Sequence, residues 1–215
     1  MGQERAIKRE YRSSRRAEQA HETRNRILEA ARTLFIRHGY SGATIEAIAQ
    51  EAGVSPLTIY GVFGNKASLL QALIGVLVGG DDQPVPLLQR PEPRAVFQEA
   101  DPVLKLQRFA EGISDILERV APMFALMRAA AKTEPELAAT LAERLEARYQ
   151  NLQAFVQNLM AHTALRDGVD EAAATTTVWA ITSPDMYLLL TADKGWTKAR
   201  FAGWVADSLV RLLLP

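Results

Sequence analysis

Residues 44–66, "TIEAIAQEAGVSPLTIYGVFGNK", alternate helix starts with helix stops. Thr44 stands before "IEAIAQEA", where its hydroxyl can cap the orphan amides of a short helix. Ala47 lacks the acidic side chain of a full capping box. Gly53 ends that helix by supplying a positive backbone angle that other residues resist. Ser55 then Pro56 is the favoured order for the next start, and Phe63-Gly64 closes it. Asn65 caps a further helix. Ile45, Ile48, Ala49 and Ala52 form an inward face, and Ile48, Ala52, Val54, Ile59 and Val62 are the apolar positions expected to lock two short helices together. A small residue, a glycine four later and branched aliphatics at fixed offsets make a helix-turn-helix pattern. An ordinary helical hairpin is the plainer alternative.

Upstream, Ile27, Ala31, Leu34 and Phe35 recur at the 3.6-residue period of one helix. Thr23 is its expected cap and Gly39 its stop. Downstream, "ASLLQALIGVLV" is apolar on most of its circumference, as a helix packed on two sides would be. Residues 79–101 carry two glycines and four prolines and read as a linker, with Val96 and Phe97 able to dock locally. Further helical periods succeed it: one from Pro102, a new start at Pro122, a long one over 134–162, one interrupted at Ser183-Pro184, and a last one ending the chain. The expected organisation is a basic arm (1–20), a helix-turn-helix domain (21–66), a connecting helix with its linker (67–101) and a helical domain (102–215), all-α throughout.

Net charge is zero over 215 residues but unevenly spread. Residues 1–80 hold 11 Lys/Arg against 7 Asp/Glu, a balance of +4, and the remainder has 14 against 18, a balance of −4. A basic amino-terminal part suggests a polyanion partner at that end. Cysteine is absent, so neither a disulfide framework nor a thiolate metal site is available. No secretory signal or membrane-spanning run is read, and the expected location is cytoplasmic.

"TRNRILEAARTLFIRHGYSGATIEAIAQEAGVSPLTIYGVFGNKASLLQAL", residues 23–73, resembles the DNA-binding domain of the tetracycline-repressor (TetR/AcrR) family. "ITSPDMYLLL" and "GWTKARFAGWVADSLVRLLL" are similar to the dimerisation helices of one branch of that family. The resemblance implies a homodimer placing one reading helix per subunit in successive major grooves of a near-palindromic double-stranded operator. It also implies a small-molecule effector domain, with helix four relaying occupancy. By position, Thr44, Tyr60 and Lys66 look like phosphate contacts, while Ser55, Pro56, Leu57, Thr58 and Gly61 occupy the groove-facing surface. Helix capping explains Thr44 and Ser55 equally well, core packing could explain Tyr60, and a solvated charge could explain Lys66. Gly61-Val62 stands where relatives commonly carry an aromatic residue or histidine, and Pro56-Leu57 replaces a commoner polar pair. Leu57 can touch a thymine methyl, and Thr58 can offer a methyl or a hydroxyl. The arm, with Arg5, Lys8, Arg9, Arg12, Arg15 and Arg16, can track phosphates or enter a narrow minor groove.

The carboxy-terminal part shows no catalytic constellation. His21, His38 and His162 stand far apart and outside metal-ligand spacing, so no enzyme, cofactor or metal is expected. Phe109, Leu117, Met123, Phe124, Met127, Tyr149, Phe155, Trp179 and Tyr187 are candidates for lining an apolar effector pocket, with Arg128 and His162 as polar handles. Plain core packing is the competing reading of each. Tyr187, Phe201, Trp204, Val205, Ser208 and Leu212 are candidates for the dimer interface, with burial inside one chain as the alternative. The expected function is a ligand-responsive transcriptional repressor. The alternatives are a constitutive or protein-regulated DNA binder without an effector, and a helical enzyme or carrier that only keeps the fold.

Overall fold

The computed structural model describes the backbone of residues 2–215 and the side chains of Arg15 and of residues 18–215. Every regular element among the described residues is helical. Two compact units divide the chain, one ending at Leu73 and the other beginning at Ile74. The expected boundary lay at residue 66, whereas this division falls inside a helix.

The first unit begins with α1, Gly2–Gly42. Thr23 does not cap it. The helix runs through Thr23, whose hydroxyl instead accepts a hydrogen bond from Arg26 at 3.4 Å. No glycine or proline stands between Gln3 and His38 to break the helix earlier. The backbone of the expected basic arm is thus part of α1, while the side chains of Arg5, Lys8, Arg9, Arg12 and Arg16 lie outside the described residues. Gly39 does break the helix, with φ 69° and ψ 179°.

Next come α2 (Ile45–Ala52), α3 (Pro56–Phe63) and α4 (Lys66–Gly79), which continues across the division between the units. Thr44 caps α2 by accepting the Ala47 amide at 3.1 Å, and Gly53 closes it in the left-handed conformation, φ 65° and ψ 39°. Asn65 accepts the Ser68 amide at 2.7 Å. Ile27, Ala31, Phe35, Ile48, Ala49, Ile59 and Phe63 are buried together with Leu69 and Leu70. Each large apolar side chain removed from water contributes about 1.5–3 kcal/mol. Val62 departs from expectation and is 44% exposed. An eight-residue helix presents one inward row, and Ile59 and Phe63, four apart, occupy it.

The second unit contains a 3-10 turn at Leu87–Gln89, then α5 (Pro91–Gln98), α6 (Pro102–Ala130), α7 (Pro135–Met160), α8 (Glu171–Ile181), α9 (Pro184–Leu188) and α10 (Lys198–Leu213). The proline-rich stretch is more than a linker, because Pro91 and Pro93 sit in the first turn of α5, where a missing N–H is harmless. Val96 and Phe97 pack on the core as expected. Pro122 does not start a helix. It lies inside α6, where Val120, Ala121, Met123 and Phe124 are all buried, so packing carries the helix past one lost hydrogen bond. The chain does break at Ser183, whose hydroxyl accepts the Met186 amide at 3.1 Å, and α9 runs into a π-helical turn, Leu189–Asp193. The core joins Leu106, Ala110 and Leu117 of α6, Leu152, Phe155 and Leu159 of α7, Val178 of α8, and Phe201, Val205, Leu209 and Leu213 of α10. Lys105 is buried beneath it. Its ammonium donates to Asn158 Oδ1 at 2.5 Å, and burial lowers its pKa. Among the described residues no single helix is long and apolar enough to cross a membrane.

Candidate nucleic-acid interface and ligand cavity

In the first unit, the sequence-predicted residues gather around α3. Ser55 Oγ accepts the Thr58 amide at 3.2 Å and lies 2.9 Å from Thr58 Oγ1, so one serine fixes both the helix start and the threonine rotamer. Leu57 is 81% exposed, and Tyr60 is 46% exposed, which rules out core packing for Tyr60. Pro56, Gly61 and Val62 are exposed as well. The outer surface of α3 is therefore uncharged and mostly apolar. A Cβ built on Gly61 would meet nothing within 4 Å. The chain's own packing does not require glycine there, although glycine in a helix costs about 1 kcal/mol relative to alanine.

Lys66 has an internal role. Its Nζ donates to the Tyr40 carbonyl at 2.9 Å and stands 4.2 Å from the centroid of the Tyr40 ring, which stacks on Phe35. This ties the start of α4 to the end of α1 and so fixes the turn after α3. Arg24 lies 4.8 Å over the Phe63 ring and holds the same, carboxy-terminal end of α3 against α1. Sequence reading missed Arg24, since a cation–π pair between distant positions leaves no local signature.

In the second unit, a cavity of about 870 Å³ opens among the end of α4, the 3-10 turn, α5, α6 and α7. Of the nine pocket candidates it takes only Phe109 and Phe155, whose rings stack at 4.0 Å, with Phe97 edge-on to Phe155 at 6.3 Å. Leu117, Met123, Phe124, Met127 and Tyr187 do not line it. They are buried in the chain's own packing, because their helical spacing is that of a core stripe. Tyr149 and Trp179 are half-buried outside it. Arg128 is held by Asp185 at 2.8 Å, and His162 Nδ1 lies against the Asn158 carbonyl at 2.9 Å, so neither expected handle faces the cavity.

The polar rim comes instead from residues that sequence reading passed over. Arg90 grips Asp81 with two bonds of 2.9 Å and also donates to the Gln83 carbonyl, and Arg119 donates to the Leu77 carbonyl at 2.9 Å. The Arg90 contact holds the Asp81 carboxyl below its ordinary range. Farther along α7, burial lowers the Arg144 pKa and pulls that of Arg148 down to about 10. Both guanidiniums stay charged at neutral pH. Among the described residues no cluster of side chains is suited to a metal ion.

The dimer candidates divide. Phe201 and Val205 are fully buried in the core of the single chain, and Tyr187 packs edge-on to Phe201 at 5.0 Å, which corrects their assignment to a surface. Phe201 and Val205 fall on the inward row of α10, and Tyr187 lies on α9. Trp204 and Ser208 are half-buried, and Leu212 is exposed.

Comparison with known proteins bears on this geometry. The sequence profile described as "Bacterial regulatory proteins, tetR family" matches residues 27–73. The HTH-type transcriptional regulator TtgR of Pseudomonas putida is 46% identical over 63 residues, which are 29% of this chain and 30% of TtgR. By sequence, the chain thus spans less than a third of the length of TtgR and of ArpR, two of the relatives it matches. Among solved structures, NalD, the secondary repressor of the MexAB-OprM multidrug efflux pump in Pseudomonas aeruginosa, superposes with a TM-score of 0.69 at 23% identity, covering 92% of this chain and 98% of NalD. The transcriptional regulator FadR from Bacillus subtilis, solved in complex with stearoyl-CoA, gives 0.67 at 20% identity, covering 86% and 96%. Residues 27–73 match the tetR family of bacterial regulatory proteins, and over nine-tenths of its length the chain shares the fold of NalD.

Proposed function

We propose that the chain is a homodimeric, ligand-responsive transcriptional repressor of the cytoplasm, released from a near-palindromic operator by a small effector with a largely apolar body. The observation that carries this reading is α3: a helix capped at both ends, seated on Ile59 and Phe63, with Leu57, Tyr60 and Gly61 left to solvent. Leu57, Tyr60 and Val62 together leave apolar surface exposed on this short helix, as an interaction face does. Thr44 lies at a helix amino terminus, where orphan amides favour a phosphate, and Tyr60 and Lys66 supply further phosphate donors. Pro56, Leu57 and Thr58 meet base edges, and Gly61 lets the backbone approach them. Ser55 holds the start of the helix. The basic residues of the arm track the flanking phosphates.

The effector occupies the aromatic cavity in the second unit. α4 supplies residues to both units, as the coupling element of such a switch would. An effector shifts the DNA-binding equilibrium only by its difference in affinity for the two states. Trp204, Ser208 and Leu212 contribute the exposed side of α10 to the dimer. FadR carries an acyl-CoA and NalD represses an efflux pump, which supports reading this cavity as an effector site.

Selection of bound duplexes from a random pool tests the proposal. Two inverted half-sites with centres about 34–36 Å apart, or a multiple of it, are expected. Enrichment of no sequence at low salt would overturn the reading.

A further inference from the structure

Helix α7 turns an arginine inward at a place where the chain supplies no anion. Arg148, Leu152 and Phe155 stand at i, i+4 and i+7, so Arg148 shares the helix face that walls the cavity, one turn beyond it. Arg148 Nη2 donates to the Trp179 carbonyl at 2.9 Å and to Thr182 Oγ1 at 2.8 Å, which caps the end of α8. The other two nitrogens of the same guanidinium, Nε and Nη1, are buried without a partner. So is Trp179 Nε1, on an indole whose centroid lies 5.6 Å from the guanidinium carbon.

Three orphan donor atoms on two touching side chains form an unfinished site. A buried donor without an acceptor costs more than the hydrogen bond it lacks, and more again when it is charged. The neighbouring acids do not complete the site. Asp185 acts on Arg148 only through its field and is itself bound by Arg128 at 2.8 Å. Among the described residues no carboxylate lies within ion-pair distance of Arg148. Arg144, one turn earlier on α7 and half-buried, adds a second positive charge to this stretch. Its Nη2 would lie 3.8 Å from a Cβ on Gly75, so this second charge sits beside the stretch of α4 that precedes the cavity residues Val78 and Gly79.

We infer that Arg148 and Trp179 anchor the carboxylate of an amphipathic organic acid whose apolar body lies against the Phe109–Phe155 wall. The inference rests on the regulator reading and narrows it, because the sequence alone suggested only an apolar effector pocket. A carboxylate accepts from several donors at once, so one head group can satisfy the guanidinium and the indole together. The aromatic stack supplies affinity that does not depend on the head group.

The test compares acids with their own amides on the full chain by titration calorimetry. Decanoate and 2-naphthylacetate are each set beside the corresponding primary amide. Each acid is expected to bind about tenfold or more tightly than its amide, as a charge-assisted bond in a buried site should give. Arg148→Met removes that preference and leaves amide affinity within about twofold, and Arg148→Lys keeps part of it. Because Arg148 also caps α8, Trp179→Phe provides a second variant that retains both Nη2 bonds and loses only the indole donor. It lowers acid affinity about threefold or more and leaves the amides unchanged. Equal binding of acid and amide, an acid preference that survives Arg148→Met, or binding of none of the four probes overturns the inference. The same samples carry a selected duplex. Amides that release it as well as the acids do leave the regulator reading standing and overturn the anchor, whereas an acid preference in a protein that binds no duplex upholds the anchor and removes the regulator reading.

Discussion

α3 and the inner face of α7 are opposites. On α3 the polar groups are satisfied internally: Ser55 takes the Thr58 amide, and the hydroxyls of Ser55 and Thr58 hold each other. The remaining outer surface is apolar, with Leu57 the most exposed large hydrophobic side chain among the described residues. On α7 the apolar groups are satisfied, with Leu152, Phe155 and Leu159 in the core, and the groups left without a partner are polar, the buried nitrogens of Arg148. Each surface thus leaves unmet the kind of contact its proposed partner supplies. Thymine methyls and close backbone approach suit the first, and an oxyanion suits the second.

The sharpest way to break the contrast is to damage one side and watch the other. Phe155→Ala removes a buried ring from the α6–α7 contact and is expected to cost about 3–5 kcal/mol of stability. Amide exchange should place the loss in residues 74–215, and a loss spread evenly over α2 and α3 would erase the distinction. Leu57→Asp does the reverse. Its negative charge in the first turn suits the helix dipole, so thermal stability holds, while duplex affinity should fall about a hundredfold by repulsion from phosphates. Fluorescence anisotropy reads that loss, and unchanged affinity would show that Leu57 does not face DNA.

Smaller effects sharpen the account. Ser55→Ala removes the cap of α3 and should destabilise the first unit by about 1 kcal/mol, with a parallel loss of duplex affinity. A denaturant melt of the variant checks it. Gly61→Ala has open space for its methyl and should stabilise the helix by up to about 1 kcal/mol while weakening duplex binding. Gain of stability with undiminished binding would mean that no partner approaches that backbone.

The first unit was legible because its signals are local. Thr44, Gly53, Ser55-Pro56 and Asn65 act within three or four residues of themselves, and all four perform the capping or turning role their spacing implies. Val62 was misplaced because two inward positions suffice for so short a helix. The second unit depends on which helix faces which. Pro122 reads as a helix start in isolation, yet buried neighbours on both sides carry α6 through it. Met123, Phe124 and Met127 had the spacing of a pocket stripe and of a core stripe alike, and only packing separates the two. Arg90, Arg119 and Arg148 find their partners 7 to 42 residues away, in other elements than their own, where no helical periodicity reaches.

The central claim is that this chain reads DNA with an apolar, uncharged helix face. The direct measurement replaces each thymine of a selected half-site with uracil, one at a time, and determines affinity. Removing the methyl that Leu57 covers should weaken binding about fourfold, ~0.8 kcal/mol for one buried methyl, and the penalty should vanish in Leu57→Ala. Equal affinity for the thymine and uracil duplexes at every position would contradict the account.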